Sequence, residues 1–170
     1  MDAGKEVFAS AGASASLEEI ARRASVGIGT LYRHFPTREA LIEGVYRREL
    51  KHLADSAKQL DGMLAPGEAL HNWMRLFVAY VATKKVLASA LCSTISGASE
   101  LAASSRLRVL EAITFLVHRA AVSGDIRSDV EPGDLLRALA GFTSGDNGPE
   151  WEPSVNRLID LLMDGLRSRS

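Results

Sequence analysis

Apolar side chains recur every three or four positions along most of this chain, and the two-residue alternation of a half-buried strand persists nowhere. That periodicity predicts an all-α fold of about nine helices, near residues 2–11, 17–24, 28–35, 38–60, 67–83, 86–93, 100–122, 132–143 and 154–168. Backbone chemistry marks several of the ends. Ser16-Leu17-Glu18-Glu19 has the form of a capping box. In such a box the Ser16 hydroxyl accepts from the amide of Glu19, and the Glu19 carboxylate reaches back to the amide of Ser16. Pro36 disfavours helical angles at Phe35 and stops the third segment there. Thr37 is then placed to cap the fourth. Gly124 suits a C-terminal cap, and Pro132 suits the first turn of the helix after it. Ser144-Gly145-Asp146-Asn147-Gly148-Pro149 reads as a loop. The organisation is three short helices, one long connecting helix and a larger helical body.

The third segment divides sharply on a helical wheel. Leu31 and Phe35 fall together with Ile28 near them, and Gly29, Thr30, Arg33 and His34 fall opposite, with Tyr32 at the edge. The second segment divides the same way. Leu17, Ile20, Ala21 and Ala24 can pack, while Glu18, Arg22 and Arg23 point out. Ser25-Val26-Gly27 between them is long enough for a tight corner and little else. Two short helices joined in this way make a helix-turn-helix, whose second helix can enter a DNA major groove. Small residues at its start (Gly27, Gly29, Thr30) would let the backbone approach DNA, and helix N-terminal amides attract phosphate. Thr30, Tyr32 and His34 offer donors to phosphate oxygens, and Arg33 can reach a guanine edge or the backbone. Arg38 stands in the first turn of the next helix, where the helix dipole disfavours a cation; an external phosphate would account for it. The same pattern also fits an ordinary bundle corner carrying a solvated Tyr-Arg-His face.

Bulk composition adds little. The formal net charge of the 170 residues is −1, with a slight positive excess before residue 60 and a slight negative one after it, so any anion binding rests on a local patch. The single cysteine, Cys92, excludes an internal disulfide and fits a reducing cytoplasm. His34, His52, His71 and His118 lack metal or nucleophile partners at useful spacing. There is no G-x-S-x-G elbow and no phosphate-binding glycine loop, so neither an enzyme nor a cofactor is expected. The longest uncharged run, residues 86–99, falls short of the ~20 apolar residues of a membrane span.

The stretch LEEIARRASVGIGTLYRHFPTREALIEGVYRREL, residues 17–50, resembles the DNA-binding region of the TetR/AcrR family of bacterial transcriptional regulators. The likeness lies in an IA-x-x-A helix, then G-T-L-Y-x-H-F, then T-[KR]-E-x-L, with Val7-Phe8-Ala9 and Gly12 resembling the end of the family's first helix. The resemblance implies that Thr30, Tyr32 and His34 touch the DNA backbone or groove. It implies that Arg38 contacts phosphate and that Ser16 caps its helix against one. It also implies that Arg33, with Gly27 and Ile28, sets sequence preference. Three departures stand out. Ser25 occupies a place where the family has Gly, which predicts a strained corner. Gly27-Ile28 replaces a polar pair, and Ile28 either packs inward, the expected outcome, or meets a thymine methyl. The chain also begins inside the family's first helix, which predicts lowered DNA affinity.

This division places a DNA-binding domain at residues 1–46 and a ligand-binding and dimerisation domain at 47–170. The segment Trp73–Ala82 is apolar nearly all round, as in a helix buried on several sides. Family members hold a ligand among the corresponding helices, so Met63, Trp73, Phe77, Cys92, Phe115 and His118 are the candidate lining for a small apolar or amphipathic ligand; the plain alternative is that they are core. The family's last two long helices form a four-helix dimer interface. Leu135, Leu139, Phe142, Val155, Leu158, Ile159, Leu162 and Leu166 would supply it here, unless these stripes pack on their own core. The expectation is a ligand-responsive homodimeric repressor of a near-palindromic operator in double-stranded DNA, located in the cytoplasm. The rival is a helical small-molecule-binding protein that has lost DNA binding.

Overall fold

The computed structural model describes residues 4, 6–8, 15–91, 98–144, 148 and 150–168, and for 86–91 and 98–103 it describes the backbone alone. Cys92, most of the segment predicted at 2–11 and most of the loop predicted at 144–149 lie outside the described residues, although Gly4 and 6–8 are helical. The described residues form helices α1 (Leu17–Arg23), α2 (Ile28–His34), α3 (Arg38–Asp61), α4 (Pro66–Leu91), α5 (Ala98–Val122), α6 (Pro132–Phe142) and α7 (Trp151–Leu166). The break expected between residues 83 and 86 does not occur, because α4 runs through it. Thr83-Lys84-Lys85 holds neither Gly nor Pro, and charge alone does not interrupt a helical ladder. At the other end of the chain, α7 starts at Trp151, whose amide donates to the Gly148 carbonyl at 2.9 Å.

Two compact units emerge, one from Met1–Glu49 with Ala82–Ser99 and one from Leu50–Val81 with Glu100–Ser170. In the first, Phe8, Ile20, Ala21, Leu31, Leu41, Ile42 and Val45 are buried. In the second, Trp73 is fully buried, and its indole Nε1 donates to the Leu53 carbonyl at 2.8 Å. Phe77 stacks on Trp73 with ring centroids 6.0 Å apart, and Ile113, Leu116, Leu139 and Ile159 are among the other fully buried members of that core.

The corner after α5 fastens two distant helix ends within the second unit. Gly124, at φ +81°, closes α5 in a Schellman motif, with its amide on the Ala121 carbonyl and that of Asp125 on Ala120. Asp125 then turns its carboxylate to accept from the amide of Gly67 at 2.8 Å, capping the start of α4 from 58 residues away. Two residues on, the Arg127 amide donates to the Leu166 carbonyl at 2.9 Å at the end of α7.

Candidate nucleic-acid interface

α1 begins as its capping residue requires, but the box is half formed. Ser16 Oγ accepts from the Glu19 amide at 3.4 Å and donates to Glu18 at 2.6 Å. The Glu19 carboxylate does not return to the Ser16 amide. It takes Arg22 in a two-pronged contact at 2.7 Å and Arg23 at 2.7 Å. Two guanidinium partners outweigh one neutral backbone amide, and they hold the Glu19 carboxyl down at about 2.

The corner between α1 and α2 is a second Schellman motif. The Ser25 amide donates to the Arg22 carbonyl at 3.1 Å and the Val26 amide to Ala21 at 3.0 Å. Ser25 therefore sits at φ +54°, where a glycine would be at ease and a serine is strained. α2 follows at once, with Gly27 as its N-cap. It ends where Pro36 dictates, and Thr37 Oγ accepts from the Ala40 amide at 3.1 Å to start α3.

These ends fix what α2 buries and what it presents. Leu31 is buried and Phe35 half-buried, while Gly27, Gly29, Thr30, Tyr32, Arg33 and His34 are all exposed. Ile28 does not pack inward, since it is 38% exposed, beside Val26 at 39% and Tyr32 at 45%. A Cβ added at Gly29 would meet nothing within 4 Å. Arg38 behaves differently from the others. Its side chain is turned into the protein, with Nη1 donating to the Ala15 carbonyl at 2.5 Å and the guanidinium 5.5 Å from the centre of the Phe8 ring.

The other expected site residues are dispersed. Trp73 and Phe77 belong to the packed core, Met63 is 79% exposed and His118 is exposed. Phe115 alone of that group's described members lines a groove between α3 and α5, a cavity of about 340 Å³. Its floor is Ala54, Ala57, Ala112 and Phe115, and its rim is Asp55, Lys58, Arg108 and Glu111. On α6 and α7, Leu135, Leu139, Val155 and Ile159 are covered within the subunit itself. Phe142, Leu162 and Leu166 are half-buried, and Leu158 is exposed. Periodicity overlooked Leu161, which is 68% exposed on the same side of α7 as Leu158. Among the described residues no helix is long and apolar enough to cross a membrane, and no cluster of His, Cys, Asp and Glu could hold a metal ion.

Comparison with known proteins agrees with this geometry. Residues 1–45 match the model of bacterial regulatory proteins of the tetR family, and residues 65–168 match that of the C-terminal domain of SbtR-like transcriptional regulators. A TetR transcriptional regulator from Streptomyces coelicolor is 43% identical, with a TM-score of 0.91 over 99% of this chain and 97% of that one. The TetR transcription regulatory protein from Mycobacterium vanbaalenii is 30% identical, with a TM-score of 0.79 over 98% and 91%. A transcriptional regulator from Cytophaga hutchinsonii shares the fold at 16% identity, with a TM-score of 0.74 over 98% and 96%. No functionally curated protein matches the chain. With both parts of the chain matched and a relative at 43% identity along nearly its whole length, the protein belongs to the TetR family of bacterial transcriptional regulators, which are typically DNA-binding, ligand-responsive repressors.

Proposed function

We propose that the protein is a homodimeric repressor that holds a near-palindromic operator in double-stranded DNA and releases it when a small apolar or amphipathic ligand occupies the helical body. The observation that carries this reading is the surface α2 leaves uncovered. Leu31 anchors the helix, while Thr30, Tyr32, Arg33 and His34 stand in solvent beside two glycines. Packing explains none of these polar positions; close approach to a duplex explains all of them together. Thr30, Tyr32 and His34 would bond phosphate oxygens, Ser16 would meet a phosphate at the start of α1, and Arg33 would reach a base edge. Gly27, Gly29 and the exposed Ile28 would let the helix lie deep in the groove, with Ile28 against a base methyl.

On this reading residues 1–46 serve DNA and residues 47–170 serve ligand and partner, in the cytoplasm and without catalysis. The α3–α5 groove, apolar below and charged at its rim, suits an amphipathic molecule. The dimer surface would be built on Leu158 and Leu161, flanked by the half-buried Phe142, Leu162 and Leu166, since the other leucine-rich positions are spent on the subunit's own core. Two copies would place their α2 helices about 34 Å apart, one turn of duplex.

The test is a salt-titrated gel shift on duplexes selected from a random-sequence library. Wild type should enrich a two-fold symmetric site, and Arg33→Ala should cost about 1–3 kcal/mol and relax the preference at one position per half-site. Failure of the wild type to enrich any sequence would refute the DNA-binding role.

A further inference from the structure

We infer that Arg38 is a positioning residue that locks the recognition helix in place, and that its role in DNA binding runs through Ala15 and Phe8 rather than through a phosphate. The inference rests on the DNA-binding role proposed above. It starts from an electrostatic oddity: Arg38 is the first residue of α3, where the helix dipole opposes a cation, so something must compensate it. An external phosphate would require the guanidinium to face solvent. Instead the side chain is half-buried, and among the described residues Ala15 and Phe8 inside the protein take it up.

Each partner is itself fixed. Ala15 and Phe8 are both 1% exposed. The Ala15 carbonyl lies directly before Ser16, the N-cap of α1, and a buried carbonyl requires a donor, which Arg38 Nη1 supplies at 2.5 Å. Phe8 lies on the helical stretch near the start of the chain, and its ring faces the guanidinium at 5.5 Å. One side chain thus joins three pieces of sequence: the N-terminal helical stretch, the entry to α1, and the entry to α3 immediately beyond α2. α2 has seven residues and one buried side chain, Leu31, so it has little packing of its own to set its direction. Its aim depends on its two flanks, and Arg38 ties those flanks to each other.

The chemistry distinguishes this role from a phosphate contact. At a phosphate contact Lys and Arg alike supply the unit charge that the salt dependence of binding reads. A guanidinium held over the Phe8 ring while it donates a directed bond to Ala15 needs the planar fork, and Lys does not replace it.

The experiment compares Arg38→Lys, Arg38→Met and Phe8→Leu with the wild type. It uses the full chain, the selected duplex, a salt titration and hydrogen exchange of the segment bearing Phe8. Positioning predicts that all three variants lose affinity by about tenfold, as the competent arrangement becomes a minor population. It further predicts that the slope of log K against log salt stays at the wild-type value in all three, and that exchange near Phe8 quickens in each. Three results would each overturn it. One is Arg38→Met lowering the slope by about 0.9, the signature of one lost phosphate contact. Another is Arg38→Lys binding like wild type. The third is Phe8→Leu leaving both affinity and exchange untouched. If the wild type selects no duplex, the DNA-binding role fails on its own, and unchanged exchange near Phe8 in all three variants would then overturn the clamp.

Discussion

Replacing Gly29 with alanine should make the protein more stable and less able to bind DNA, and the opposition of these signs makes the test sharp. In the folded chain Gly29 lies within the regular helix α2, and an added Cβ would touch nothing within 4 Å. Glycine in a helix costs about 0.5–1 kcal/mol relative to alanine. Because Gly29 sits in the first turn, the lower half of that range applies. For a chain of this length each kcal/mol moves Tm by about 2–4 °C, so the variant should melt about 1–2 °C higher. On DNA the same methyl would stand between the backbone of α2 and the duplex. Inserting a methyl into a closely packed contact costs about 1–3 kcal/mol, or roughly ten- to hundredfold in affinity. Thermal unfolding and the gel shift, run on one preparation, read both quantities. A variant that melts higher and binds DNA as tightly as wild type would refute the close approach of α2 to the duplex. A variant that melts lower would show that the fold itself requires glycine at this position.

Three further outcomes follow from single contacts. Ser25→Gly should relieve a left-handed strain of about 1–2 kcal/mol and lose about half of that gain to the freer unfolded chain, leaving a net stabilisation of about 0.5–1 kcal/mol by urea unfolding; no gain would mean that the Ser25 corner is unstrained. Gly67→Ala would bring a Cβ to 2.9 Å from that of Asp125. It should push the capping carboxylate off the start of α4 at a cost of about 1–3 kcal/mol, read as a fall in Tm of several degrees. Asp160 accepts from Arg75 at 2.6 Å and from His71 at 2.7 Å, and these bonds, Arg75 foremost, hold its carboxyl below the usual range. A lowered carboxyl stabilises the fold above the unfolded value of about 4, and that stability is lost as pH falls through the lowered one. Since both Asp160 and Arg75 are nearly half exposed, Asp160→Asn should cost less than about 1 kcal/mol at pH 7, and its unfolding curve should converge on that of wild type in acid.

What the sequence disclosed is what acts within about four residues. The hydroxyls of Ser16 and Thr37, the rings of Pro36 and Pro132, and the φ of Gly124 each set an end through local backbone chemistry, so each could be placed without knowing the fold. The short helix Ile28–His34 was legible for the same reason, whereas the strain at Ser25 was expected only from the resemblance, in which Gly stands at that place. What stayed hidden depends on competition between partners. Ser16 and Glu19 matched a capping box, yet the carboxylate chose two arginines on its own helix over one amide. Arg38 read as a cation awaiting an anion because Phe8 and Ala15 lie 30 and 23 residues back, beyond any local rule. Asp125 gave no sign that it would cap α4 from across the chain.

The apolar stripes show the limit most clearly. A period of three or four says that a face is covered, but not what covers it. On α7 that single signal contained two faces. Val155, Ile159 and Met163, spaced by four, are buried in the subunit's own core. Leu158 and Leu161, three apart and rotated from that line, remain in solvent. Sequence weighs them alike, because burial in one's own core and burial against a second copy select the same side chains. Only the packed subunit separates them, by using up one set and leaving the other. In a family that binds DNA in pairs, the leucines left over are therefore the better guide to the partner than the stripe as a whole.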